Sequence, residues 1–301
     1  MEPKDDRAKG LLALIEPLRV PPGTEVDVRK DHDPTYTAGR LNKKDAGEDL
    51  RMGVKLLAEY QERLAAQATC AVLMVLQGLD ASGKDGTIRH VMSGVNPQGV
   101  KVHSFKEPSD EELGHDFLWR CARQLPARGE IGIFNRSHYE EVLVVRVHPE
   151  LVERERLPPR ATRAGIWKRR YREINDWERY LVDNGTRVVK LFLNLSRAEQ
   201  RARFLRRIDR PEKNWKFSAS DISEREHWDA YQQAISEMLT HTSTSRAPWY
   251  VIPADHKWFA HIAVAAALVE TLTQIDPQYP TVDAEQRAAL ERARIALEGE
   301  R

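Results

Sequence analysis

The run Ala71–Gln77, AVLMVLQ, passes without a break into GLDASGKDG at residues 78–86, and this junction constrains the fold more than any other stretch of the chain. A continuous apolar run lacks the alternation of a half-exposed strand and reads as one buried on both faces, as in a parallel sheet covered by helices on each side. A glycine loop that follows such a strand and opens a helix brings backbone N–H groups, a helix N-terminus and a lysine to one point. That combination holds phosphates. Gly78, Gly83 and Lys84 satisfy the G-x-x-x-x-G-K spacing, but Asp85 follows the lysine where a Mg²⁺-binding hydroxyl is usual.

Carboxylates beside a phosphate repel it unless a divalent cation lies between them, and Mg²⁺ is commonly held by one or two carboxylates with phosphate oxygens and water. Asp80 inside the loop is therefore the metal candidate. Asp85 is read either as its outer partner or as a negative charge in the first turn of a helix, where the dipole tolerates it.

Strand and helix then alternate. VKVHSF is a short strand, after which Ser109 and Glu112 form the capping box of a helix expected to run through ELGHDFLWRCARQL. IGIFNR is the next strand. A charged helix from about Arg160 to Asp183 precedes the strand RVVKLFLNL, and Ser196 with Glu199 caps the helix after it. WYVIPA is the last strand. FAHIAVAAALVETL, interrupted by His261 and Glu270, reads as a buried core helix rather than a membrane span. Such alternation predicts a parallel sheet with helices on both faces and ligands at the carboxyl ends of the strands.

Two further groups bear chemistry. FNRSHYE places Asn135 and Arg136 at the end of the third strand; the arginine can grip a phosphate bidentately, and the amide can donate or accept without charge. His138 and Tyr139 read as packing residues. The segment from Glu199 to Asp221 carries Arg201, Arg203, Arg206, Arg207, Arg210, Lys213 and Lys216 with a proline and aromatics, the composition of a lid that closes over phosphates. These cations cannot all face one way, so several are ordinary surface charges.

Composition limits the partners. Lys+Arg 47 against Asp+Glu 46 leaves a net charge of +1, so a polyanion must be held by a local strip, and nucleic acid is not an expected partner. Two cysteines without metal-like spacing and an N-terminus unlike a signal sequence fit a cytoplasmic protein. The tail DAEQRAALERARIALEGER is a surface or oligomer-contact helix, and the expected assembly is a homo-oligomer, dimer or tetramer.

Taken in order, G-x-D-x-x-G-K-D-G at 78–86, GVNPQGV at 94–100, FNRSHYE at 134–140, PEKNWKF at 211–217 and APWYVIPADHKWF from Ala247 resemble the polyphosphate kinases of the second family, over about residues 40 to 280. The resemblance implies a three-layer α/β/α fold of P-loop kinase type. It divides the chain into an N-terminal extended and helical segment (1–69), the kinase domain (70–280) with a lid at about 200–222, and a helical tail (281–301). The implied activity is reversible phosphoryl transfer between inorganic polyphosphate and AMP or ADP, with guanine nucleotides as further acceptors and with Mg²⁺, or Mn²⁺ in its place. Asp80, Lys84 and Arg136 match its catalytic positions. Phosphate binding falls to Gly83, Lys84, Asp85, Arg136, Arg203, Arg207, Lys213 and Lys216, and nucleotide binding to Asn135 and Glu140. Family members with F-N-R-S-H-Y-E tend to take both AMP and ADP, those with F-D-R-S-W-Y only one. The alternative is an ATP-dependent nucleoside monophosphate kinase like thymidylate kinase, against which Asp85 and the added motifs speak.

Overall fold

The computed structural model describes residues 10, 13–39, 43–159, 161, 165–215, 217–218 and 220–300. Its centre is a five-stranded sheet in the order β2-β3-β1-β4-β5, with every pairing parallel. The strands are β1 (Ala71–Gln77), β2 (Val100–Ser104), β3 (Ile131–Asn135), β4 (Thr186–Asn194) and β5 (Trp249–Pro253). β1 is buried along its whole length because both of its faces are used. Val72, Met74 and Leu76 enter one core with residues of α1 (Lys43–Gln67) and α6 (Lys257–Ile275). Leu73 and Val75 enter the other with α3 (Ile166–Asp183) and α5 (Trp228–Thr242). The expected three-layer α/β/α arrangement is the one observed.

From β1 the chain moves to β2, returns to β3, and then passes to the other side of β1 as β4. The glycine loop lies at that reversal, where open α/β sheets leave a crevice. α2 (Lys84–Val91) follows it at once.

α6 has the length and apolarity of a membrane span, yet its sequence from Phe259 to Val269 is buried throughout, and it is the central helix of one face. The segment 13–39 covers β5: the Val20 amide donates to the Trp249 carbonyl (2.8 Å), Arg19 bridges to Tyr250, and the Asn194 amide donates to the His32 carbonyl (2.8 Å). An otherwise open sheet edge is thereby closed. α7 (Ala284–Glu298) is capped by a box of Asp283 and Gln286 and has no buried residue.

Two expected helices differ. The capping box of Ser109 and Glu112 is present, but its helix stops at Leu113. Gly114 lowers helix propensity there, the Asp116 carboxylate takes the Leu118 amide (3.0 Å), and a separate turn forms at Trp119–Ala122. The helix expected from about Arg160 begins at Ile166, after Gly165 in the left-handed region (φ 95°); residues 160 and 162–164 lie outside the described residues.

Candidate active site

Strand geometry delivers the site residues to one end of the sheet. β1 ends in the loop, and β3, its neighbour, ends in Asn135 and Arg136. Gly78 has no substitute: a Cβ there would stand 2.7 Å from the Ser82 hydroxyl and 3.0 Å from the Leu193 carbonyl. Two residues with side chains adopt positive φ at this end, Ala81 (63°) and Arg136 (63°). Such strain costs about 1–3 kcal/mol and is typical of functional turns. The turn at Arg136 is held by its amide, which donates to the Leu76 carbonyl of β1 (3.1 Å).

α4 (Arg197–Ile208) braces the loop from behind. Ser196 caps it by accepting the Glu199 amide (3.1 Å), while Asp255, not Glu199, accepts the Ser196 amide (2.8 Å). That frees Glu199 to accept from Arg203 (2.9 Å) and Arg206 (2.6 Å). Arg203 is buried. Besides Glu199 it donates to the carbonyls of Ala81 (3.0 Å), Ser82 (2.8 Å), Ala254 (2.5 Å) and Asp255 (3.2 Å), which accounts for all the donors a guanidinium has. Gln200 donates to the Asp80 carbonyl (3.0 Å). These loop carbonyls are thus turned to α4 and do not oppose a phosphate. Arg203, expected among the lid cations, instead holds the loop in shape.

On the other side of the loop, Lys84 donates to the carbonyls of Gly78 (2.5 Å) and Leu79 (3.4 Å). Burial, and then the neighbouring Arg136, push its ammonium down to about 8. Arg136 bridges the Asp80 carboxylate (2.5 Å) and Glu140 (2.9 Å), and Glu140 together with Asp80 raises its already high pKa, so its charge is permanent. Glu140 is placed in turn by Gln77; in the amide orientation that satisfies both ends, Gln77 donates to Glu140 (2.9 Å) and accepts from the Ser137 amide (3.1 Å). Asp80, Lys84, Arg136 and Glu140 therefore form one cluster.

Asn135 and Asp85 form a second pair. The Asn135 amide donates to the Asp85 carboxylate (2.9 Å) and to the Ser104 hydroxyl (3.3 Å), joining β3, β2 and α2. The negative charge after the loop lysine is an acceptor for this amide, which ties the first turn of α2 to the end of β3. Asn135 is turned toward it and is buried.

Two cavities meet at Arg136. One lies over the loop, bounded by Gly78, Asp80, Gln200, Asp221, Arg225 and Tyr231. The other, of about 480 Å³, is lined mainly by apolar groups that include Phe105, Leu113, Phe117, Val144 and Leu151. Arg136 and Glu140 belong to both. Beneath them the FNRSHYE segment rests on a buried polar network. Lys190 of β4 donates to Glu178 (2.6 Å), the Tyr139 hydroxyl (3.0 Å) and the Thr242 carbonyl (2.5 Å), and Tyr139 donates to Glu178 (2.7 Å). Burial would raise the Glu178 carboxyl, but Lys190 and His138 outweigh it and keep it ionised. His138 and Tyr139 are packing residues, as the sequence suggests.

Of the remaining lid cations, Arg207 stacks over Phe204 and approaches Asp221 (3.6 Å), and Lys213 is exposed on the short helix Pro211–Asn214. Lys216 lies outside the described residues. Asp221, Arg225, Gln200 and Tyr231 face the loop without having been singled out in the sequence. Only the Ser196 cap, which fixes the phase of α4, could have shown that Gln200 and Arg203 share its buried face.

Residues 40–280 match the family model described as Polyphosphate kinase 2. The chain belongs to this family. It is 49% identical over 284 residues to the ADP-polyphosphate phosphotransferase of Rhodopseudomonas palustris, a match spanning 93% of this chain and 97% of that protein. It is 45% identical over 266 residues to the AMP/ADP-polyphosphate phosphotransferase of Meiothermus ruber, spanning 88% and 96%. The crystal structure of Polyphosphate Kinase 2 from Arthrobacter aurescens TC1 superposes with a TM-score of 0.83 at 40% identity, covering 93% of this chain and 96% of that one. As a family member the chain carries the glycine loop, the Asp80–Arg136–Glu140 cluster and both cavities on one scaffold.

Proposed function

We propose that the protein transfers a phosphoryl group from inorganic polyphosphate to AMP and to ADP, reversibly, forming ADP and ATP. The family and the phosphotransferase names of its relatives support a polyphosphate-dependent nucleotide kinase over an ATP-dependent monophosphate kinase. The observation that carries the geometry is the position of Arg136, at the wall between a phosphate loop and a separate apolar cavity large enough for a nucleoside.

Polyphosphate laid over the loop presents its terminal group to the loop amides and Lys84. An acceptor nucleotide in the second cavity points its phosphate at Arg136. An acceptor oxygen attacks the terminal phosphorus in line, and the bridging bond to the next phosphate breaks, leaving the shortened polyphosphate with the released electron pair. No covalent enzyme intermediate is required; position and charge neutralisation suffice. Among the described residues no group of three or more His, Cys, Asp or Glu side chains could hold a metal by itself. One loop carboxylate at the cavity, Asp80, suits Mg²⁺ or Mn²⁺ shared with phosphate oxygens and water, and the bound ion would neutralise charge on the transferred group.

The test is direct. The purified protein, freed of adenylate kinase, is incubated with Mg²⁺, long-chain polyphosphate and separately AMP, ADP, GMP and GDP. Formation of ADP and then ATP from AMP supports the reading. Phosphorylation of ADP with AMP left untouched would restrict it to diphosphates, and no turnover with polyphosphate would overturn it.

A further inference from the structure

Arg136 stands at the wall between the two cavities with its charge already answered on both sides. Nη2 pairs with the Asp80 carboxylate (2.5 Å) and Nη1 with Glu140 (2.9 Å), so the three groups together present one net negative charge to an arriving phosphate. The other charged groups around them have partners of their own. In the apolar cavity Arg154 pairs with Glu107 (2.6 Å), and Glu141 and Glu155 are held by Arg170 (3.1 Å and 2.6 Å). Arg120 donates from Nη2 to the Lys106 carbonyl (2.7 Å), and Lys106 itself is exposed. On the loop side Asp221 approaches Arg207 (3.6 Å), Glu224 accepts from the Tyr231 hydroxyl (2.6 Å), and Arg225 donates to Gln200 (2.5 Å). Lys84 is engaged with the loop carbonyls.

The two carboxylates hold Arg136 with unequal fixity. Glu140 lies in the turn His138–Val142, where Gln77 donates to it (2.9 Å), Ser137 caps the turn by accepting the Tyr139 amide (3.1 Å), and Tyr139 beside it is fully buried. Asp80 lies in the glycine loop. Gln200 holds its carbonyl, but among the described residues its carboxylate has Arg136 as its one hydrogen-bonding partner. Its side chain is also the more exposed, 35% against 23% for Glu140. The carboxylate with fewer protein partners is the one suited to Mg²⁺ shared with phosphate oxygens of the donor.

We propose that Arg136 exchanges one of these partners during the reaction: when Asp80 turns to the Mg²⁺ that arrives with the donor, Nη2 is released to the acceptor phosphate, and Glu140 is the positioning residue that keeps Nη1 and holds the guanidinium at the wall. This rests on the donor lying over the loop and the acceptor in the apolar cavity, as argued above. The exchange couples the two sites. Donor and metal together make the acceptor site attractive to a phosphate, and by linkage the acceptor tightens donor binding by the same factor. Without the exchange, two polyanions meeting at one arginine would weaken each other's binding.

Calorimetric titration with AMP reads the exchange without turnover when the donor is replaced by bis(methylene)triphosphonate, whose P–C–P bridges block transfer. AMP affinity in the parent protein is expected to rise about 10-fold when Mg²⁺ and this analogue are both present, within the usual span of coupling between two sites. Asp80→Asn removes the charge of the exchangeable partner in advance. Its AMP affinity should stand near the raised value with nothing added, and Mg²⁺ with the analogue should raise it no further. In steady-state kinetics with polyphosphate, Glu140→Ala should lower kcat about 10-fold or more, and Glu140→Gln, which still accepts from Nη1, should recover most of the loss. Two results would overturn the proposal: a parent AMP affinity that Mg²⁺ and the analogue leave unchanged or lower, and an Asp80→Asn protein that binds AMP no better than the parent with nothing added, which would put the metal between Asp80 and the acceptor. Glu140→Gln as impaired as Glu140→Ala would take the positioning role from Glu140. Failure to bind AMP in every state, or no transfer from polyphosphate, would instead overturn the assigned reaction.

Discussion

Arg136 carries a permanent charge between Asp80 and Glu140, and Lys84 carries one that depends on pH. Replacing either by alanine removes a cation opposed to the transferred phosphoryl group and should lower kcat by about 100-fold or more with unfolding curves unchanged, as read by steady-state kinetics and circular dichroism. Lys84 adds a pH signature. With its ammonium pushed down to about 8, the free site is fully charged below that value and loses charge above it. On the proposed function polyphosphate binds the charged form, so its apparent affinity should be flat below pH 8 and drop about tenfold per unit above, until the pKa of the complex is reached. A flat profile to about pH 9.5 would show that Lys84 does not contact the donor. Any role of Asn135 in acceptor choice under the proposed function runs through Asp85. An aspartate there would face Asp85 at the distance now spanned by a 2.9 Å hydrogen bond, two carboxylates that cannot both stay ionised without a cation between them. Asn135→Asp should therefore raise the metal requirement and shift the AMP-to-ADP rate ratio; an unchanged ratio would remove Asn135 from acceptor selection.

At the scale of elements, α4 shows what the sequence conceals. Seven cations between Arg201 and Lys216 look alike as letters, yet Arg203 is buried against the loop while Lys213 is exposed. Removing Arg203 leaves buried carbonyls at Ala81, Ser82 and Ala254 without partners. Arg203→Ala should cost about 2–4 kcal/mol in denaturant unfolding and depress turnover with every acceptor. Lys213→Ala should leave stability unchanged and raise only the KM for polyphosphate. Unaltered stability in Arg203→Ala would return that residue to the lid. The strands and the loop were legible because continuous apolar runs and glycine spacing are local properties. The helix after Ser109 was not: the capping box marks a start, and the stop depends on Gly114 and on whether Asp116 binds its own backbone. The partnership of Asn135 with Asp85 was likewise hidden, since fifty residues separate them and only the pairing of β1 with β3 brings them together.

Over the whole molecule charge nearly cancels, at +1, so attraction of a long polyanion must come from where the cations stand. They gather around α4. Arg197 and Arg201 lie close enough to Arg225 to lower its pKa after burial has done so, and Arg203, Arg206 and Lys213 act on Lys257 in the same way. Arg225 also donates to Gln200 (2.5 Å), which connects this cationic surface to the loop cavity. On the proposed function a nucleotide in the neighbouring cavity would meet enclosed walls that include Phe105, Phe117 and Leu151, with its charge confined to the end near Arg136. Salt screens exposed charges over about 10 Å at about 0.1 M and affects enclosed contacts far less. The apparent KM for polyphosphate should therefore climb steeply between about 0.05 M and about 0.3 M salt, and more steeply for long chains than for short ones, while that for ADP changes little. Substituting Arg197 and Arg201 together by glutamine should flatten the polyphosphate curve and leave the ADP curve where it was. Equal salt dependence for donor and acceptor would mean that the chain is held only at the loop, and that the cations around α4 are no more than a solvated surface.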